Sequence, residues 1–90
     1  MASRARIHFG PKHESVIYQR PGLKCEVMCY LDAERNAWHL YESVPRINGE
    51  KRAFSSDEKA EVLPEITRYL SRKTFFWITV KRYEVRLMGA

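Results

Sequence analysis

Apolar and polar residues alternate most regularly across residues 23–31, which predicts a β-strand with one face in the protein core. We expect Met28 and Tyr30, on the opposite face, to be half-covered. The segments 15–19 and 37–43 also favour extended structure, so three strands joined by turns would form an antiparallel meander. The core face of the middle strand comprises Leu23, Cys25, Val27, Cys29 and Leu31.

The third of these strands has two candidate inward faces. Trp38 and Leu40 lie on one face, and His39 and Tyr41 lie on the other. We therefore expect apolar cover on both sides of the strand, or a local bulge. Pro45 is predicted to end the strand, because proline cannot donate a hydrogen bond to a β-ladder.

Two short segments border the meander. Asn48-Gly49 is typical of a two-residue turn, which predicts a protruding basic hairpin tip or a mobile loop over residues 46–52. Residues 1–13 begin with alternation that Gly10-Pro11 stops. They are interpreted either as an edge strand or as a frayed tail.

Residues 75–87 form the strongest β signal in the chain. This run contains no Gly, Pro, Asn or Asp, so a hairpin inside it would lack turn residues. The sequence predicts one long strand, with Lys81-Arg82 as the place for any bulge. Both faces are apolar as far as Val80, so the first half is expected inside the fold, with the rest of the chain arranged to cover it.

A helix is predicted over residues 56–72. Ser55 is the expected N-cap, since Glu58 follows three residues later as in a capping box. Pro64 lies too far inside to be a first-turn residue, and it should kink the helix or split it in two. The apolar stripe comprises Ala60, Leu63, Ile66, Thr67 and Leu70, widened by Val62 and Tyr69.

Together these elements predict an α+β fold in a single domain, residues 1–90. Its sheet is antiparallel, its order is β-β-β-α-β, and one kinked helix packs on one face. No apolar run approaches the roughly 18 residues that a membrane span requires, and the N-terminus has no signal-peptide pattern. We therefore expect a soluble cytoplasmic protein with no membrane partner.

Cys25 and Cys29 are the only cysteines. Four residues apart on a strand, they are separated by about 13 Å, which is too far for a mutual disulfide. We interpret them as free core thiols. The alternatives are a metal site shared with His8, His13 or His39, and cross-linking of a dimer.

The sequence contains no catalytic motif. There is no glycine-rich phosphate loop, no His-Glu-x-x-His helix and no Gly-x-Ser-x-Gly elbow. Glu14, His39 and Glu42 could in principle form an acid/base set, but His39 is better explained as a partly exposed strand residue. We therefore predict no enzyme, no catalytic residue, no metal, no cofactor and no small-molecule ligand.

The chain carries a net charge of +5, and the excess lies in its second half. Residues 46–90 hold ten basic and six acidic residues. Such a basic surface can attract acidic proteins or nucleic acid, and exposed Tyr, Trp and Arg are common in protein interfaces. We predict an interaction domain that binds a protein partner or itself. The alternative is a nucleic-acid-binding module that uses the basic C-terminal strand and the 46–52 loop. The predicted contact residues are Arg46, Lys51, Arg52, Arg82, Arg86, Tyr41 and Trp38.

The order of elements across residues 23–80 resembles that of small bacterial α+β proteins of the toxin-immunity kind. The resemblance consists of a hairpin, a Trp-containing strand ended by proline, the Ser55-Ser56-Asp57-Glu58-Lys59 helix start and the closing Phe76-Trp77-Ile78-Thr79-Val80 strand. It rests on this succession and not on a diagnostic motif. It implies a non-enzymatic inhibitor that occludes a toxin, and it assigns no role to any single residue.

Overall fold

A computed structural model describes the backbone of residues 5–75 and 78–88, and the side chains of residues 5–72 and 83–88. These residues form β-strands and one α-helix, arranged as a small α+β fold. None of the helices in the described part is long and apolar enough to cross a bilayer. The elements are β1 (Arg6–Phe9), a 3-10 turn (Pro11–His13), β2 (Ser15–Arg20), β3 (Leu23–Asp32), β4 (Ala37–Ile47), β5 (Glu50–Lys51), α1 (Ser56–Ser71), β6 (Arg72–Phe75), β7 (Ile78–Arg82) and β8 (Glu84–Met88).

The main sheet has six strands. Strands β1 to β5 follow one another antiparallel in chain order, and β8 adds to β4 in parallel. The predicted meander is therefore confirmed as β2, β3 and β4. The full order β-β-β-α-β is not confirmed, because β1 and β5 extend the sheet and three strands follow the helix.

The C-terminal run differs most from its prediction. Strands β6 and β7 pair with each other in a separate two-stranded sheet, with Phe75 opposite Ile78. The single long strand is therefore wrong. The chain changes partner at Tyr83, whose backbone N–H donates to the carbonyl of Ser71 at 2.8 Å, and β8 then joins β4. Phe76-Trp77, and the side chains predicted to be interior as far as Val80, lie outside the described residues.

Strand β4 continues through Pro45 to Ile47, so the predicted end of this strand is wrong. Glu26 is opposite Arg46 and Met28 is opposite Tyr41, which leaves residues 42–45 opposite a single residue of β3. Pro45 lies inside this bulge, where the regular ladder is interrupted. A proline is compatible with a strand at such a position, because no ladder donor is required there.

Helix α1 begins as the sequence predicts. The Ser55 hydroxyl accepts from the Glu58 backbone N–H at 3.2 Å, and the Glu58 carboxylate accepts from the Ser55 N–H at 2.9 Å. The helix is continuous through Pro64, so the alternative of two separate pieces is wrong. Proline has no N–H, so Pro64 cannot donate a hydrogen bond to the Ala60 carbonyl. Pro64 and Ala60 are both exposed, so this carbonyl lies on the water side of the helix. The kink stays a prediction.

The core lies between α1 and one face of the main sheet. The alternation over residues 23–31 is confirmed, with Trp38 and Leu40 as the inward residues of β4. On the helix, Ala60 is exposed and Thr67 half-buried, so the inward stripe is narrower than predicted. The buried apolar residues are Val16, Tyr18, Leu23, Cys25, Val27, Cys29, Ala37, Trp38, Leu40, Ile47, Val62, Leu63, Ile66 and Leu70.

Both segments that border the meander form regular structure over their described residues. Residues 6–9 form an edge strand paired with β2, so the frayed-tail alternative is wrong for them. The turn at Asn48-Gly49 is confirmed by left-handed φ values of 51° and 87°. Asn48 does not protrude. Its backbone N–H donates to the Lys24 carbonyl at 2.8 Å and its side-chain oxygen accepts from the Lys24 N–H at 2.9 Å, which joins two turns.

Candidate interaction surface

One face of the main sheet turns away from α1, and we call it the outer face. Because side chains alternate along a strand, the even-numbered residues of β3 from Lys24 to Asp32, together with their partners His39, Tyr41 and Arg46 of β4, point to it. Met28, Tyr30 and Tyr41 on this face are 51%, 59% and 42% exposed. The expectation that Met28 and Tyr30 would be half-covered is therefore confirmed.

These side chains are neighbours across the sheet. Met28 is directly opposite Tyr41, and Tyr41 is beside Met88 of the parallel strand β8. Tyr30 is opposite His39, and their rings meet edge to face with centroids 5.9 Å apart. The result is a continuous apolar and aromatic band across the centre of the outer face. We call it the central band, and it comprises Met28, Tyr30, Tyr41 and Met88.

Cations gather at one end of the outer face, which we call the basic end. Arg6 is opposite Gln19, which is opposite Lys24, and the next row places Arg46 beside Lys51. None of these four cations forms an ion pair with another described residue. The one acid among them, Glu26, accepts a hydrogen bond from the Ser15 hydroxyl at 2.7 Å.

The opposite end of the outer face carries acidic residues. Asp32 lies 4.0 Å from the Arg35 guanidinium and 3.9 Å from Nε2 of His39. Glu84 lies 3.2 Å from the Arg86 guanidinium, and both are exposed. We call this the acidic end. Nε2 of His39 is buried and has no hydrogen-bond partner among the described residues.

The structure brings together three of the predicted contact residues, Tyr41, Arg46 and Lys51, on the outer face, and places Arg86 at its acidic end. Trp38 does not belong to the surface, because it is 5% exposed and packs in the core. The prediction for Trp38 was wrong because both faces of β4 carry aromatic residues, and the sequence did not show which face lies inside. The side chain of Arg82 lies outside the described residues.

Arg52 also lies elsewhere, in a pair with the helix. Its guanidinium donates to both carboxylate oxygens of Glu58, at 2.8 and 2.7 Å. Hydrogen bonds from Arg52 and from the Ser55 backbone lower the pKa of Glu58 to about 2. This cation is already used to hold the start of α1 against the end of β5.

The residues considered for chemistry do not assemble into a site. Cys25 and Cys29 are buried free thiols, and burial raises the pKa of each to about 11. Glu42 pairs with Lys59 of the helix at 3.0 Å, whereas His39 lies on the outer face. Within residues 5–75 and 78–88, no group of three or more His, Cys, Asp or Glu side chains could hold a metal ion.

Comparisons with known proteins add no relative: no family model, no curated protein and no solved structure matches the chain. The resemblance to toxin-immunity proteins therefore stays a prediction. The geometry of the outer face is the main guide to function. Sequence reasoning missed Lys24, Asp32 and Met88 as members of this surface, although the alternation over residues 23–31 already placed the first two beside Met28 and Tyr30.

Proposed function

We propose that the protein is a non-catalytic interaction domain that associates with a second copy of itself through the outer face. The observation that carries this proposal is the central band. Met28, Tyr30 and Tyr41 are large, adjacent and about half exposed, and they lie on a sheet face that the helix leaves open. Aromatic residues and methionine are enriched at the centres of protein interfaces.

The charges at the two ends of the outer face fit a second copy as the partner, although Asp32 and Glu84 at the acidic end also lie beside Arg35 and Arg86 of their own chain. A two-fold interface brings the same patch from both chains together. Suppose that the two-fold axis runs along the row that joins Met28 to Tyr41, across the strands. Each strand of one copy then runs antiparallel to the same strand of the partner. The basic end of one copy then faces the acidic end of the other. Lys24 and Asp32 are equally distant from Met28, four residues before and after it, so each would face the other across the axis.

The size of the face sets the strength to expect. Five neighbouring strands spaced about 4.8 Å apart give a footprint roughly 24 Å wide, which corresponds to an interface at or below the usual size of about 800 Å² per partner. The proposed dimer is therefore reversible and depends on concentration. Its charged ends should also make it weaker at high salt.

Light scattering over a concentration series tests the proposal. The mass of the wild-type protein should rise from that of one 10.7 kDa chain toward twice this value. Tyr41→Glu places a charge in the central band, and this variant should stay monomeric. Leu87→Glu is the matched control, because Leu87 is 49% exposed on the helix side of the sheet and this change should leave the dimer intact.

Two results would contradict the proposal. A wild-type protein that stays monomeric at every concentration would exclude self-association. A dimer that Leu87→Glu disrupts and Tyr41→Glu does not would move the interface to the other side of the sheet. Circular dichroism of both variants establishes that each is folded.

Nucleic-acid binding is the second candidate, and the basic end supports it. Arg6, Lys24, Arg46 and Lys51 have no ion-pair partner among the described residues, and cations in this state can bind phosphates. Support is weaker than for the dimer, because Arg52 and Arg86 are paired with carboxylates. A mobility-shift assay with single-stranded and duplex nucleic acid over a salt series is the test. Absence of binding at low salt removes this candidate.

A further inference from the structure

A partly enclosed cavity of about 900 Å³ lies at the end of the core opposite the capping box. It is bounded by β1, the Pro11–His13 turn, the end of β3, the start of β4, the last turns of α1, and Tyr83, which precedes β8. Cavities of this size hold small molecules in many proteins. Its lining includes the core residues Cys29, Trp38 and Leu70 and, from the central band, Tyr30.

Aromatic side chains line the cavity in contact with one another. The ring of Phe9 stacks on Trp38 and is tilted against Tyr69, with both centroid distances 5.3 Å. Tyr83 meets Trp38 edge to face at 6.0 Å. Phe9, Tyr69 and Tyr83 are only partly buried, so they present ring surface to the cavity. Such a lining favours a flat aromatic ligand, because offset and edge-to-face ring contacts add to the energy of burial.

The rim of the cavity is basic. Lys12, Arg68 and Arg72 line it together with the acids Glu14 and Glu65. Arg68 is already paired with Glu65 at 2.9 Å, whereas Lys12, Arg72 and Glu14 form no ion pair with a described residue, which leaves two cations against one carboxylate. A ligand with a negative charge is therefore favoured over a neutral or cationic one.

The segment beside this rim has unusual backbone geometry. Lys12 and His13 both have positive φ values, 58° and 57°, in consecutive positions. Side chains other than glycine rarely adopt this conformation, and it occurs most often in turns and at binding sites. Here the two residues set their side chains at the edge of the cavity, and the His13 ring lies 4.4 Å from that of Phe9.

From these observations we infer that the cavity is a binding site for a small aromatic carboxylate. The ring of the ligand enters among Phe9, Tyr69 and Tyr83, and its carboxylate meets Arg72 and Lys12 at the rim. Of the described residues that line this site, Tyr30 also belongs to the central band, but the inference does not depend on the proposed dimer.

Equilibrium dialysis with two matched probes tests the inference. 2-Naphthoate carries the ring and the charge, and 2-naphthamide carries the same ring without the charge. The wild-type protein should bind naphthoate about tenfold more tightly than the amide at low salt, since a charge-assisted hydrogen bond contributes about this factor. Decahydro-2-naphthoate keeps the carboxylate without the aromatic ring, and it should compete several-fold less well than naphthoate.

Variants locate the binding. The double variant Lys12→Gln, Arg72→Gln changes two exposed side chains and should remove most of the preference for the acid over the amide. Arg46→Gln, which removes one cation at the basic end of the outer face, is the matched control and should bind as the wild type does. Equal affinity for the acid and the amide, no saturable binding of naphthoate, or an unchanged preference in the double variant would each overturn the inference.

Discussion

Arg20 on β2 and Glu61 on α1 form a bidentate ion pair that ties the helix to the sheet. The Arg20 guanidinium donates through Nε to Oε2 and through Nη2 to Oε1, the latter at 3.0 Å, and the Tyr18 hydroxyl donates to Oε2 at 2.8 Å. These hydrogen bonds, the ones from Arg20 above all, lower the pKa of Glu61. One carboxylate thus connects two neighbouring side chains of the sheet with the middle of the helix.

Replacing Glu61 by Gln should destabilise the fold, because it removes the charge that both donors share. Glu65→Gln is the matched control. Glu65 lies one turn further along α1 and pairs with an arginine of the same helix at 2.9 Å, so it joins no two elements. In urea denaturation the midpoint should fall clearly for Glu61→Gln and little for Glu65→Gln. Equal shifts in the two variants would show that the link between helix and sheet adds nothing.

The pair between Arg52 and Glu58 predicts how stability changes in acid. The pKa of Glu58 is about 2 in the folded protein, against 4.5 for an unperturbed glutamate side chain. Since the folded value is the lower one, the stabilisation is fully present above pH 4.5 and is lost as the pH falls toward 2. The free energy of unfolding, measured by denaturation at several pH values between 5 and 2, should therefore change less with pH in Glu58→Gln and in Arg52→Gln than in the wild type. If the free energy of unfolding changed with pH in both variants as steeply as in the wild type, this account would be contradicted.

The N-cap of α1 predicts a difference between two adjacent serines. Ser55→Ala removes the acceptor for the Glu58 N–H and should lower the free energy of unfolding by about 1 kcal/mol. Ser56 is the first residue of the helix and is exposed, so Ser56→Ala should change stability by less than about 0.5 kcal/mol. Thermal or urea denaturation measures both. A larger effect at Ser56 would place the cap one residue later.

Burial predicts that both thiols are unreactive. Desolvation raises the pKa of Cys25 and of Cys29 to about 11, against 9.0 for an unperturbed cysteine thiol, so the thiolate form is scarce at pH 8. A disulfide reagent such as dithionitrobenzoate should react with the native protein at the rate of unfolding, and immediately in urea. Fast stoichiometric labelling of the native protein would contradict the placement of these residues in the core.

Local signals predicted local features well. Alternation over residues 23–31 placed Cys25 and Val27 inside, and the pair Ser55 and Glu58 marked the start of the helix. Each of these features is decided by residues that are close in sequence.

Features that depend on distant partners were not predicted. Residues 75–87 alternate in the same way whether they form one strand or several, and pairing of β8 with β4 rather than with β7 is decided by tertiary contacts. Pro45 was misread for the same reason, since the bulge that accommodates it depends on register with β3. The central band also required this register, because only the pairing of Met28 with Tyr41 makes two separate residues one surface.

The most direct test of the proposed dimer is a charge exchange between its two ends. Lys24→Glu and Asp32→Lys should each weaken the dimer in sedimentation equilibrium at low salt, because each places like charges opposite one another across the two-fold axis. The double variant Lys24→Glu, Asp32→Lys restores opposite charges and should recover the wild-type mass distribution. Single variants that dimerise as well as the wild type, or a double variant weaker than both single ones, would contradict the proposed interface.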